Sequence, residues 1–392
     1  MKQLKSTILH SNDFLKITLI FIVWRLSLFL ISYLATLFIP NFGNTYPYVD
    51  RVLSITNLPS WIWGFGGFDG VHYLRLAQDG YIHGLSQAFF PLFPVLINFV
   101  SKFIPVKNIL DTEFFVNTNF FYAGLITSNI FALVSIYTTK KLFDLDYNQK
   151  VSWMATIFLL LFPTSFYLGS IYTESLFITL ASLTLFFYKR NNYILAAVCG
   201  FLVSATRLIG IFIPLILIID CFKNKNLKLF FSGITGSLGL VIYMVYSYFK
   251  FDDFLSFLTA QSSFGAERSS VPIILLPQVV YRYIKILFTT PITSLTFYNS
   301  LFEILITVFI FTFLILAFKK INMSYWIAIL GILILPTLTG TFSSMPRYAL
   351  GAYILFPLIV TRLKNAYTPV IIIFLILGII CISLFTRGYW VA

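Results

Sequence analysis

Between residues 17 and 386 the chain is built from apolar blocks joined by short polar connections. Most blocks approach the roughly 20 residues that a helix needs to cross a bilayer. Only 10% of the 392 residues are charged and 59% are hydrophobic, whereas a soluble domain carries about 25% charged residues. No water-exposed surface can be assembled from that proportion, and a single soluble core stops growing at roughly 250–300 residues. The bilayer must be the solvent for most of the chain.

The blocks at 17–39, 117–138, 151–171, 175–188, 229–249, 296–318, 323–341, 348–361 and 368–386 read as crossings. The block 193–219 has basic residues at both ends, which a single crossing would put on opposite sides of the membrane. A hairpin turning near Thr206-Arg207 removes the conflict. The expected fold is therefore an all-α, polytopic transmembrane protein of about eleven passes, some short enough to be re-entrant. It forms one domain over residues 1–392. The first block is too long for a signal-peptide core and lacks a clear small-residue cleavage site, so it reads as a retained helix.

The formal charge of +13 raises nucleic acid as a partner. Position argues against it. Lys140, Lys141, Lys150, Lys189, Arg190, Lys223, Lys225, Lys228, Lys319, Lys320, Arg362 and Lys364 all fall in short connections, as expected of cytoplasmic loops. With Lys2, Lys5 and Lys16 before the first crossing, the N-terminus is expected in the cytoplasm and residues 41–116 outside. This first outer loop is too long to be an idle connection and should carry short interfacial or re-entrant helices. Residues 250–291 form a second outer region, with an interfacial helix around Tyr281, Arg282 and Lys285. Arg282, Lys285 and Arg268 read as solvated or headgroup-facing charges. Cys199, Cys221 and Cys381 have no metal-like spacing and suggest no disulfide framework.

The first loop holds Phe68-Asp69-Gly70-Val71-His72-Tyr73-Leu74-Arg75-Leu76-Ala77-Gln78-Asp79-Gly80-Tyr81, with His83 just beyond. One reading is an amphipathic interfacial helix with Tyr73, Leu76 and Ala77 on one face and Asp69 and His72 on the other. The other is catalytic: a carboxylate at an aromatic-lined membrane edge can take the proton of an attacking hydroxyl. Asp79 and His72 suit orienting the loop better than reacting. Glu174, in Tyr172-Thr173-Glu174-Ser175-Leu176-Phe177, can complement a helix dipole or act as a second acid. Arg207 and Arg347 lie in apolar surroundings, where such a charge costs about 2.5–3.5 kcal/mol on insertion scales. They either snorkel to the interface or mark a ligand, and a guanidinium binds phosphate bidentately. Arg25, within the first crossing, needs a partner that the sequence does not name. The segment 89–103, punctuated by Pro91 and Pro94, reads as a surface or re-entrant helix able to floor a lipid groove. Asp252-Asp253 are adjacent acids that point apart, and no metal or cofactor is implied. There is also no P-loop or dinucleotide glycine pattern.

Together the Phe68-to-Tyr81 stretch, Phe89-Phe90-Pro91-Leu92-Phe93-Pro94, the Tyr172-to-Phe177 stretch, Thr206-Arg207 and Pro346-Arg347-Tyr348 resemble the GPI mannosyltransferase II (phosphatidylinositol-glycan class V) family of the glycosyltransferase C superfamily. One departure is Phe68, where the family pattern leads us to expect Trp. The resemblance implies a membrane glycosyltransferase moving a sugar, by family usage mannose, from a polyprenyl-phosphate donor to a hydroxyl of a lipid or glycan acceptor on the non-cytoplasmic face. It implies an acidic residue in the first outer loop, matched by Asp69. Glu174 is then a second catalytic candidate, with His72, Tyr73, Arg207, Arg347 and Tyr348 binding substrate. The protein would be multi-pass in the plasma membrane of a prokaryote or the endoplasmic reticulum of a eukaryote. The rival reading is a transporter or lipid flippase. Transporters place ionisable groups near the bilayer midplane, whereas the notable acids here gather toward one face.

Overall fold

The computed structural model describes residues 2–43, 52–105, 116–265, 268–269 and 273–391, with the side chains of 2–12 and 55 left aside. Among these, every regular element is helical. The helices longer than about two turns are α1 (Lys2–Phe38), α2 (Asp69–Asp79), α3 (Leu92–Ser101), α4 (Thr118–Phe143), α5 (Gln149–Leu161) and α6 (Glu174–Lys189). They continue with α7 (Tyr193–Ser204), α8 (Phe212–Asn224), α9 (Leu227–Phe251), α10 (Leu276–Thr289) and α11 (Leu295–Ala317). The last are α12 (Met323–Thr337), α13 (Met345–Gly351), α14 (Phe356–Leu363) and α15 (Tyr367–Thr386).

Several polar connections supply the caps that start these helices. The side chains of Asn148, Asn192, Asn226 and Ser294 accept hydrogen bonds from the backbone N–H of Val151, Leu195, Lys228 and Phe297. Each satisfies a donor that the first helical turn leaves unpaired. Leu19, Leu26, Leu30 and Leu37 on α1, and Ile372, Ile373 and Ile376 on α15, are exposed. That apolar surface is covered by lipid, and the protein is an integral membrane protein.

Five segments are long and apolar enough to cross a bilayer: Asp13–Phe38, Thr118–Phe143, Leu227–Phe251, Leu295–Ala317 and Tyr353–Thr386. The segments 151–171, 175–188, 193–219 and 323–341, also read as crossings, are helices of 12–16 residues. At 1.5 Å per residue they reach about 18–24 Å, the short crossings that the sequence led us to expect.

The block 193–219 is a hairpin. Ser232 Oγ donates to Tyr193 O at one end of α7, and Ser204 Oγ donates to Gly236 O at the other, so α7 and α9 run in the same sense. On α8, Pro214 lies against Gly236 and Ile218 against Gly233, so α8 runs the opposite way. A Cβ at Gly239 would sit 2.1 Å from Phe201 O. Glycine is what lets these backbones touch. The two feet of the hairpin meet where Asn226 Nδ2 donates to the Tyr193 hydroxyl (3.1 Å), and Arg207 stands in the turn at its tip.

Basic residues collect at the feet. Lys189, in the last turn of α6, bonds Asp146 at 2.8 Å and lies over the Tyr325 ring, joining three connections at one end. Glu174 begins the same helix, so it stands about 22 Å from that end at 1.5 Å per residue.

Arg25, which needed a partner, lies against two aromatic rings set edge to face, with its guanidinium carbon 4.1 Å from the Phe29 ring centre and 4.3 Å from that of Phe65. Gly169 makes room for it, since a Cβ there would lie 2.7 Å from Arg25 Nη1.

Candidate active site

Asp69 is placed by a strained turn. Gly70 N–H bonds Gly67 O, and Phe68 between them has φ 54° and ψ −120°, the first central position of a type II′ turn. Glycine dominates that position, and another residue there costs about 1–3 kcal/mol. The surroundings hold the strain in place. The Phe68 ring packs on Phe385 and Trp390, with centroids 5.6 and 5.1 Å away. The Tyr172 hydroxyl accepts from Asp69 N–H (3.2 Å) and donates to Gly67 O (3.0 Å), bracing both sides of the turn.

Four charges from distant parts of the sequence then meet. Arg347, in α13, donates from Nη1 to Asp69 Oδ2 at 2.7 Å, and its Nε lies 3.4 Å from Glu174 Oε1. Arg207, from the hairpin tip, bonds the same Glu174 oxygen at 2.9 Å. Glu174 Oε2 accepts no hydrogen bond among the described residues. The Arg347 guanidinium lies over the rings of Tyr167, Tyr172 and Trp390, and that of Arg207 over Tyr348. Both arginines were expected to contact donor phosphate. Here each is engaged by a carboxylate, while both still border the cavity.

That cavity encloses about 230 Å³. Asp69, Tyr73, Phe89, Phe90, Phe257 and Phe264 give it acidic and aromatic walls, Arg207, Arg268, Arg347 and Tyr348 contribute its cations and a further ring, and Leu208, Ile209, Ile273, Leu335 and Leu338 line it with aliphatic surface. Tyr73 therefore shares the cavity with Asp69, four residues before it, rather than facing away as the amphipathic reading had it. His72 stacks on Phe89 (4.8 Å, 19°) and supports a wall residue. The segment after Phe89 folds as α3, whose first N–H, from Leu92, bonds Ala205 O beside the hairpin tip.

Asp69 is the accessible acid. Its side chain is 20% exposed, against 2% for Glu174. Burial opposes its ionisation, but the charge and hydrogen bond of Arg347, helped by His72 and Arg268, hold the carboxyl below the usual carboxylate range. Burial pushes His72 down to about 4 against the pull of Asp69, so its imidazole is neutral at pH 7. The site thus presents an ionised carboxylate beside a neutral imidazole. At the far end of α2, His83 Nε2 lies 2.7 Å from Asp79 Oδ2 and its Nδ1 3.0 Å from Arg75, a network suited to orienting the loop.

Two features escaped the sequence reading. Arg268 borders the cavity instead of facing solvent or headgroups. Glu303, buried within α11, accepts from the Tyr283 hydroxyl, which also meets Thr341 Oγ1 at 2.9 Å, and Arg282 donates to Gly340 O at 3.0 Å. These bonds back the 339–344 loop that leads into α13. An acid inside an apolar crossing was the available signal for Glu303. Among the described residues no cluster of His, Cys, Asp and Glu could hold a metal ion.

Residues 16–209 match the family model described as mannosyltransferase (PIG-V). The match contains Asp69, Glu174 and Arg207 and ends before Arg268 and Arg347. No curated protein matches the chain.

Proposed function

Through residues 16–209 the chain belongs to the mannosyltransferase (PIG-V) family and is a membrane glycosyltransferase, and from that premise we propose that it transfers mannose from a polyprenyl-phosphate donor to a hydroxyl of a lipid or glycan acceptor. The observation that carries the reading is the Asp69–Arg347–Glu174–Arg207 quartet, of which Asp69, Arg207 and Arg347 line a cavity with both aromatic and aliphatic walls. Aromatic faces suit a sugar ring, and aliphatic surface suits a prenyl chain.

In the proposed reaction the acceptor oxygen attacks the anomeric carbon as the bond from that carbon to the phosphate oxygen breaks. The hydroxyl proton passes to Asp69, and the electron pair of the broken bond leaves on the polyprenyl phosphate. Arg347 orients Asp69 through Oδ2 and leaves the carboxylate a second oxygen for the proton. Glu174, buried behind the cavity and held by both arginines, fixes their positions. A guanidinium has five N–H donors, so Arg207 and Arg347 retain some for the developing phosphate charge. Tyr73 and Tyr348 wall the sugar, and His72 supports that wall through Phe89.

The site lies at the opposite end of α6 from the basic connections. By the positive-inside bias, this end faces outward in a prokaryotic plasma membrane or lumenally in the endoplasmic reticulum. A charged site gathered at one membrane face fits an interfacial enzyme better than a transporter or flippase. Purified protein incubated with labelled polyprenyl-phosphate mannose and a membrane lipid extract tests the proposal. Labelled lipid or glycan should form together with free polyprenyl phosphate, and donor recovered intact with every acceptor fraction would refute it.

A further inference from the structure

The quartet pairs two carboxylates with two guanidiniums and is formally neutral. A glycosyl phosphodiester brings one negative charge, and its leaving phosphate develops a second. Withdrawing such an anion from water into a half-enclosed site is costly without a matching cation. Arg268 is placed to be that cation. It borders the same cavity, where among the described residues its guanidinium makes long contacts with neutral acceptors, Nη1 at 3.5 Å from Gln261 Oε1 and Nη2 at 3.4 Å from Ser344 Oγ. Both exceed the ordinary 2.7–3.2 Å of a hydrogen bond, so a phosphate oxygen offers a stronger partner.

The backbone holds Arg268 where lipid and site converge. Ser269 N–H bonds Thr339 O at 2.8 Å and Ile274 N–H bonds Leu338 O at 3.0 Å, seating both residues against the end of α12. Ser344, which Arg268 touches, is the N-cap of the helix that carries Arg347. The same stretches contribute Ile273, Leu335 and Leu338 to the aliphatic lining. Arg268 is also near enough to Asp69 to help stabilise its ionised form.

We propose that Arg268 binds the donor phosphate, with the polyprenyl chain running along Ile273, Leu335 and Leu338. Arg207 and Arg347 are then chiefly positioning residues that hold the two acids. The inference rests on the donor class proposed above.

The test uses the full chain in phosphatidylcholine nanodiscs, with a short polyprenyl phosphate and the matching prenol as competitors of donor binding. The ratio of their inhibition constants measures preference for the anion, and nonspecific damage to the protein would not alter it selectively. Arg268→Gln should lower that preference by about ten- to a hundredfold, the worth of a charge-assisted hydrogen bond, and raise donor KM more than it lowers kcat. Arg268→Lys should keep most of the preference. An unchanged ratio in Arg268→Gln overturns the assignment while leaving the donor reading standing. If the wild-type protein itself does not prefer the phosphate, the donor reading falls and this inference with it. Competition by added phosphatidylglycerol in place of polyprenyl phosphate, dependent on Arg268, would assign the arginine to lipid headgroups and also overturn the proposal.

Discussion

Arg347→Ala should unbalance the site in a way that a second substitution repairs. Arg347 is the ion-pair partner of Asp69 at 2.7 Å, whereas Glu174 retains Arg207 at 2.9 Å without it. The substitution leaves a formal charge of −1 on what was a neutral quartet, concentrated at Asp69. Removing one partner of a buried pair costs about 3–5 kcal/mol. The 20% exposure of the Asp69 side chain favours the lower end, about 3 kcal/mol. Loss of the guanidinium from over Tyr167, Tyr172 and Trp390 adds about 1 kcal/mol. Adding Asp69→Asn removes the uncompensated charge, so the double variant should recover about 2 kcal/mol relative to additivity, within the usual range for contacting residues. Reversible unfolding of the four proteins in mixed micelles gives the cycle. Additivity within about 0.5 kcal/mol, with all four proteins folded alike, would refute the ion-pair argument.

Tyr172→Phe leaves Asp69 N–H and Gly67 O without their hydroxyl partner and should cost about 1–3 kcal/mol, with kcat falling more than donor affinity in a steady-state assay. Because Asp69 is held below its ordinary range, its pairing contributes fully above an unfolded carboxyl value of about 3.9 and is lost as pH falls through the folded value. The acid limb of kcat/KM should accordingly lie below the usual carboxylate range and move upward in Arg347→Gln, as a pH–rate profile would show. Cysteines placed at exposed Gly84 and Ser262, in a background lacking Cys199, Cys221 and Cys381, should react with an impermeant thiol reagent in intact cells, while one at exposed Asn148 should not. The opposite labelling would invert the orientation.

What the sequence made legible was mostly charge in an apolar setting. Basic residues at both ends of 193–219 required a hairpin, and the structure has one with Arg207 at its tip. Arg207, Arg347, Glu174 and Asp69 stood out because ionised groups are costly beside lipid, and they meet because each lowers that cost for another. Helix length was less legible, since an apolar run shows that a segment avoids water without showing whether one helix spans it. Face assignment on α2 failed for a simpler reason. Asp69 and Tyr73 are four residues apart on one helix, so the 3.6-residue period itself puts them on the same face, and both line the one cavity. Arg268 looked like a loop charge because its significance depends on the 338–339 backbone, about 70 residues later, that seats it. Arg25 lies against the Phe29 and Phe65 rings, with none of its nitrogens hydrogen-bonded among the described residues, a setting that no sequence pattern marks.

The most direct test of the account compares Asp69→Asn with Glu174→Gln in purified, monodisperse protein, measuring donor binding and turnover of polyprenyl-phosphate mannose separately. Asparagine keeps the shape of the side chain but cannot take the proton. Asp69→Asn should therefore bind donor nearly normally while turnover falls about 10²–10⁴-fold, the usual worth of a positioned proton acceptor. Glu174→Gln should lose less turnover, because that carboxylate serves mainly to hold two arginines. Near-normal turnover in Asp69→Asn with abolition in Glu174→Gln would contradict the account and move the base to Glu174. If neither substitution matters, the proposed acid–base mechanism at this site is wrong.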